Sequence, residues 1–288
     1  MGTSSSSRGP GPNVPFVPPW VPPLPPPLPP PLEQAAGPPP ANGDGNPPPP
    51  PPPHAPPPAQ PPIAPARRYQ AARTSLGNYA RTGSRDDLKR GLGHYTATGL
   101  GGSAQATRRM ARTAVNAGKL YSALSALSSG TALPADVPID RAAMAGRPAR
   151  EIADEIAKAL QPSDGTQDAE ASRDAISRSL SELLTAEPDV DMLALTPVQI
   201  DLVIQTYVGE DLCRRIDLDV GKTIIDKAAT LAEGQSRLED MKAYVRQEVA
   251  RLFRARSDSG QRLSRQNAAS LASGVIQSTF DVFEEYLR

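Results

Sequence analysis

The chain has 288 residues, with 35 prolines and 31 Lys and Arg against 31 Asp and Glu. The zero net charge conceals three unlike segments, so the total says nothing about partners and the distribution does. A single cysteine excludes an internal disulfide, and no run of about 18 apolar residues is present to span a membrane.

The first segment, residues 1–66, contains 29 of the 35 prolines and only Arg8, Glu33 and Asp44 as charges, so it cannot bury a core. It is predicted to be a disordered Pro-rich arm populating polyproline II, able to hold its tip on the order of 100 Å from a folded body. Phe16, Val17 and Trp20 are broken up by prolines, which is not the continuous apolar stretch of a secretory signal. The expected location is the cytoplasm. With Met1 removed, Gly2 presents a free α-amine followed by Thr3 and Ser4. At a pKa of about 7.8, roughly a third of such an amine is neutral at pH 7.5, against about 0.1% of a lysine. Gly2 is therefore a candidate acceptor for modification, although an ordinary chain start fits the same residues. Phe16 and Trp20 are candidate anchors for a partner pocket, because an arm without a core has nowhere to hide large aromatics.

The second segment, residues 67–130, is basic and Gly-rich. Between residues 67 and 119 there are 11 Lys and Arg against Asp86 and Asp87, and eight glycines. Arg67, Arg68, Arg73, Arg81, Arg85, Arg90, Arg108 and Arg109 are interleaved with Tyr69, Tyr79 and Tyr95. Guanidinium forks beside flexible backbone suit phosphate, so nucleic-acid binding is one reading, and docking on an acidic protein surface is the other. Apolar residues are sparse (Leu76, Tyr79, Leu88, Leu92, Tyr95, Leu100, Met110), so this segment is expected to order on something else. One helix is predicted over residues 108–127, ended by Gly130.

The third segment, residues 131–288, is predicted to be an acidic α-helical domain within an all-α fold, a bundle of five or six helices. Ile152, Ile156 and Leu160 repeat every four residues after Pro148. Residues 168–185 carry Ile176, Leu180, Leu183 and Leu184. Thr196-Pro197-Val198-Gln199 reads as a capping box ahead of Ile200, Ile204, Val208, Leu212 and Ile216, and Ser236 to Glu239 reads as a second one. The last helix is placed at residues 264–287.

Enzymatic constellations fail on inspection, and neither catalytic residues nor a cofactor are expected. Gly221-Lys222-Thr223 lacks the upstream glycine of a phosphate-binding loop. Asp217 and Asp219 begin like a calcium loop but position twelve is Ala228, so they read as a solvated turn. His54 and His94 give no metal site of familiar spacing. Cys213 sits on an amphipathic pattern as a small buried side chain.

Two stretches resemble a known family. The opening Met1 to Ser7 with Pro15-Phe16-Val17-Pro18-Pro19-Trp20, and the Arg/Gly-rich block from Ala72 to Gly83, Leu88 to Tyr95 and Gly101 to Met110, are similar to the QatB family of the bacterial Qat anti-phage defence systems. The resemblance implies a non-catalytic subunit working beside an ATPase, a TatD-like nuclease and a QueC-like enzyme. Enzymes of the last type activate a deazaguanine carboxylate with ATP and attach nitrogen to it, which would make Gly2 the amine acceptor, with Thr3 and Ser4 read by the enzyme. Without that resemblance, the residues support a nucleic-acid-binding subunit or a Pro-rich scaffold unrelated to defence.

Overall fold

The computed structural model describes residues 15–19, 21–27, 63–161 and 167–288. Among these residues there is no named strand, only an isolated bridge between Pro15 and Ile63, and the fold is an all-α bundle.

The basic segment supplies four helices: α1 (Gln70–Thr82), α2 (Arg85–His94), α3 (Ser103–Arg109) and α4 (Ala111–Ser129). Ser84 opens α2 by accepting the Asp87 amide, and Asp86 and Asp87 stand in its first turn, where the helix dipole favours negative charge. A π-helical turn, Tyr95–Gly99, follows it. The single helix expected over residues 108–127 is instead divided at Met110, whose φ of −90° and ψ of 11° leave the α-helical range. Gly130 ends α4 at a φ of 68°, a conformation that costs glycine little.

Seven further helices follow: α5 (Arg141–Met144), α6 (Ala149–Leu160), α7 (Gln167–Ala186), α8 (Pro197–Ile216), α9 (Lys222–Lys227), α10 (Leu231–Asp258) and α11 (Ala268–Glu285). The Thr196 capping box forms in full, with Pro197 at the first helical position. The predicted start at Ser236 is incorrect. The cap lies six residues earlier, where Thr230 Oγ1 accepts the Glu233 amide at 3.1 Å, and Ser236 lies inside α10. Thr230 and Glu233 have the same spacing as Ser236 and Glu239, and the earlier pair captures the end. A buried row at every fourth residue, Met241, Val245, Val249 and Phe253, then runs along α10.

A single hydrophobic core runs through residues 67–130 and 131–288 alike. All seven sparse apolar residues of the basic segment are buried in it, each contributing roughly 1.5–3 kcal/mol if it behaves as an ordinary large apolar side chain. What this segment orders on is therefore the rest of its own chain: α1 lies against α9, and α4 against α8 and α11. Gly118 on α4 stands against Ala269 of α11, where an added Cβ would come within 2.9 Å of the Ala269 Cβ, so the missing side chain lets the two helices approach closely. Several polar groups inside the bundle pair with one another. Asn116 donates to Gln161 Oε1 and to Ser172 Oγ, both at 2.9 Å, and the Ser172 and Tyr207 hydroxyls meet at 2.9 Å.

The arm does not simply lead away from this body at residue 66. Pro15 bridges to Ile63, the Phe16 side chain is buried, and the Ser270 hydroxyl on α11 donates to the Pro26 carbonyl.

Candidate functional site

Asp219 is the organising residue of the described body, and its sequence reading as a solvated turn is overturned. The chain between α8 and α9 forms a second π-helical turn, Asp217–Gly221, and this turn delivers Asp219 to the interior with only 9% of its surface exposed. Tyr69 Oη, just ahead of α1, donates to Asp219 Oδ2 at 2.9 Å, and Tyr95 Oη, from the first π turn, donates to the same oxygen at 3.0 Å. Arg109 of α3 lies 3.5 Å from Oδ1, and Arg73 of α1 donates to the Asp219 carbonyl at 3.2 Å. The two tyrosine rings stack at 5.7 Å. One carboxylate thus ties three elements of the basic segment to the start of α9.

The electrostatics follow from burial. Burial first, and the Asp219 charge second, push the Tyr69 and Tyr95 hydroxyls above their ordinary value of 10.0, and burial likewise raises Tyr207. Burial alone would lower Arg109, but Asp219 with the two tyrosines outweighs it and leaves the guanidinium firmly charged. The consequence for pH is definite in sign. Below pH 10 both the folded and the unfolded states hold these phenolic protons. Above it the unfolded chain releases protons that the folded chain retains, so stability falls as pH rises from 10 toward the higher folded values. Alkaline unfolding followed by circular dichroism, with tyrosinate absorbance recorded in parallel, should show the phenolic step and the loss of helix together.

The basic residues do not act as one block. Arg73 and Arg109 are committed to Asp219, and Arg68 is buried. Arg67, Arg81, Arg85, Arg90 and Arg108 are exposed. Among these, Arg81 donates to Asn78 Oδ1 and Arg90 lies 3.7 Å from Asp87. Phe16 is seated on the body itself: its ring stands 5.6 Å from the Arg68 guanidinium carbon, against the backbone of Gly101. Gly101 has a φ of 81°, and a Cβ there would come within 3.0 Å of three atoms of the Phe16 ring, so only glycine leaves room for it. Gly2, Thr3, Ser4 and Trp20 lie outside the described residues.

Among the residues considered for chemistry, Cys213 is buried, and burial raises its thiol pKa strongly, leaving it a poor nucleophile. His94 is partly buried and its pKa is lowered, by burial first and by Arg90 second. Among the described residues, no group of three or more His, Cys, Asp or Glu is placed to hold a metal ion. No helix among them is long and apolar enough to cross a membrane.

A family model described as Qat anti-phage system associated protein QatB matches residues 101–283, close to two thirds of the chain. The chain belongs to the QatB family. It is accordingly a component of the multi-protein Qat anti-phage defence system. The matched span runs from just before α3 into α11, so QatB membership rests on the helical bundle. Of the residues that first suggested the family, only Gly101 to Met110 fall within it. Arg108, Arg109, Asp211 and Asp219 are inside the QatB match, whereas Phe16, Arg68, Tyr69 and Tyr95 precede it. No curated protein and no solved structure matches the chain.

Proposed function

We propose that the chain is a non-catalytic adaptor of the Qat system, whose residues ahead of Phe16 are bound by a QueC-like partner enzyme and modified at the Gly2 amine. The helical bundle holds the assembly with the ATPase and the TatD-like nuclease. The observation that supports this most is the seating of Phe16. It fixes the root of the N-terminal tail on the bundle, and Gly2 lies 13 residues ahead of Pro15. A chain of that length reaches at most about 45 Å, enough to enter a neighbouring active site but less than the reach of a free 66-residue arm.

The chemistry asked of the tail is modest. The neutral Gly2 amine attacks a carboxylate that the partner has activated with ATP, an amide forms, and the amine gives up a proton as the activating group leaves. Because Phe16 is taken up by the chain's own Arg68 and Gly101, recognition of the tail falls to Thr3 and Ser4, with Trp20 on the other side of the anchor. Deleting residues 2–14 while keeping an initiator Met should abolish phage protection in cells carrying the whole operon, with no change in the helical circular-dichroism signal. Full protection after that deletion would remove the adaptor-tail reading.

A second reading, nucleic-acid binding through the basic segment, retains support from the five exposed arginines. If all five meet phosphates, the logarithm of affinity should fall against the logarithm of salt with a slope of about −4 to −5.

A further inference from the structure

The most costly unpaired group in the described body is Arg68. Its residue surface is only 6% exposed, and Nε, Nη1 and Nη2 are all out of contact with water and without a hydrogen-bond partner. Its flat face is engaged by aromatic rings, with its central carbon 4.9 Å from the Tyr69 ring centre and 5.6 Å from that of Phe16. Such contacts use the face of a guanidinium and leave the N–H donors, which point outward in its plane, unsatisfied. A buried cation with unmet donors is unfavourable unless an anion completes it.

Arg68 lines an open cleft of about 540 Å³ together with Arg67, Gln70, Thr74, Ser75 and His94. No acidic residue lines this cleft. Its wall includes the first turn of α1, which has neither a side-chain cap nor an acidic residue, so the positive end of that helix dipole is uncompensated. His94 adds a second buried polar atom without a partner, Nδ1. Two cationic side chains, unspent donors, nearby hydroxyls and a bare helix N-terminus around one cleft define the chemistry of an oxyanion receptor.

We propose that this cleft is a phosphate-binding site, for inorganic phosphate or for the phosphate of a nucleotide, and that Phe16 covers its arginine. The guanidinium edge takes two phosphate oxygens, with Arg67 and His94 at the rim. Phe16 restricts access because it rests on the same guanidinium.

Calorimetric titration of the whole chain at constant ionic strength tests this, using inorganic phosphate, AMP and adenosine as probes. Phosphate and AMP should bind and adenosine should not; binding of AMP alone would identify the nucleotide as the source. Arg68→Gln should weaken binding about tenfold or more, the loss expected when charge-assisted hydrogen bonds are removed. Thr74→Glu, a change at an exposed position on the cleft wall, should weaken it too without disturbing the fold. Phe16→Ala should bind at least as tightly as the unaltered chain, and binding seen only in that variant would still support the site by showing that the arm closes it. The proposal is overturned if neither phosphate nor AMP binds the unaltered chain or Phe16→Ala, if adenosine binds as well as AMP, or if folded Arg68→Gln binds as the unaltered chain does.

Discussion

Replacing Asp219 with Ala is expected to lower folding stability by about 3 kcal/mol, near the lower end for breaking a buried ion pair, because Arg109 and Asp219 keep side-chain exposures of 18% and 10%. The loss has two physical parts. Arg109 is left mostly buried beside no counter-charge, and the Tyr69 and Tyr95 hydroxyls lose their shared acceptor. Thermal melting should move down by roughly 6–12 °C for a domain of this size. A double change, Asp219→Leu with Arg109→Met, should be less damaging than the sum of the two single changes, because removing both charges leaves neither one stranded. Strict additivity would show that the carboxylate and the guanidinium are not coupled. The location of the damage matters as well: protease cutting should begin in residues 67–110, since Asp219 is what ties Tyr69, Tyr95 and Arg109 to the turn before α9.

Asp211→Ala should be at least as severe, about 3–5 kcal/mol, because this carboxylate is completely buried. Arg215, one turn along α8, has only 4% of its side chain exposed and lies 3.1 Å from Asp211, while the Thr113 hydroxyl of α4 donates to the same oxygen. Truncating the acid removes the buried ion pair with Arg215 and a polar tie between two central helices. Chemical denaturation of Asp211→Ala and Asp211→Asn measures the split. The Asn variant should recover part of the loss by keeping the contact with Thr113, and equal losses would show that the hydrogen bond contributes nothing.

The helices were legible in the sequence where one residue in four is apolar and a capping pattern marks the start. Residues 196–216 meet both conditions, residues 149–160 carry the apolar row behind Pro148, and α6 and α8 form there with those rows buried. Capping patterns alone were ambiguous, as the choice between Thr230 and Ser236 shows, because Ser, Thr and Glu at that spacing occur inside helices as well. The basic segment misled for a different reason. A high density of arginine and glycine with few apolar residues reads as an exposed surface, yet every one of those apolar residues reaches the core and three of the arginines turn inward or pair with Asp219.

The polar centres were not legible at all. Tyr69 and Asp219 are 150 positions apart, and no local pattern distinguishes an aspartate in a buried π turn from one in a solvated loop. Asp211 and Arg215 look like an ordinary surface pair four residues apart, and only the packing of α4 over α8 reveals them as buried. Phe16 was singled out as an anchor for a partner's pocket. The pocket the structure supplies belongs to its own chain, formed by Arg68 and Gly101, and local sequence does not encode a contact across 85 residues.

The adaptor role is tested most directly by the mass of the N-terminal peptide. The chain is purified after expression with the other Qat components, and again with the QueC-like component omitted or inactivated. The account predicts that the peptide beginning at Gly2 gains the mass of an amide-linked deazaguanine group only when the active enzyme is present, and that a blocked N-terminus accompanies the gain. An unmodified, sequenceable Gly2 in both samples would contradict it.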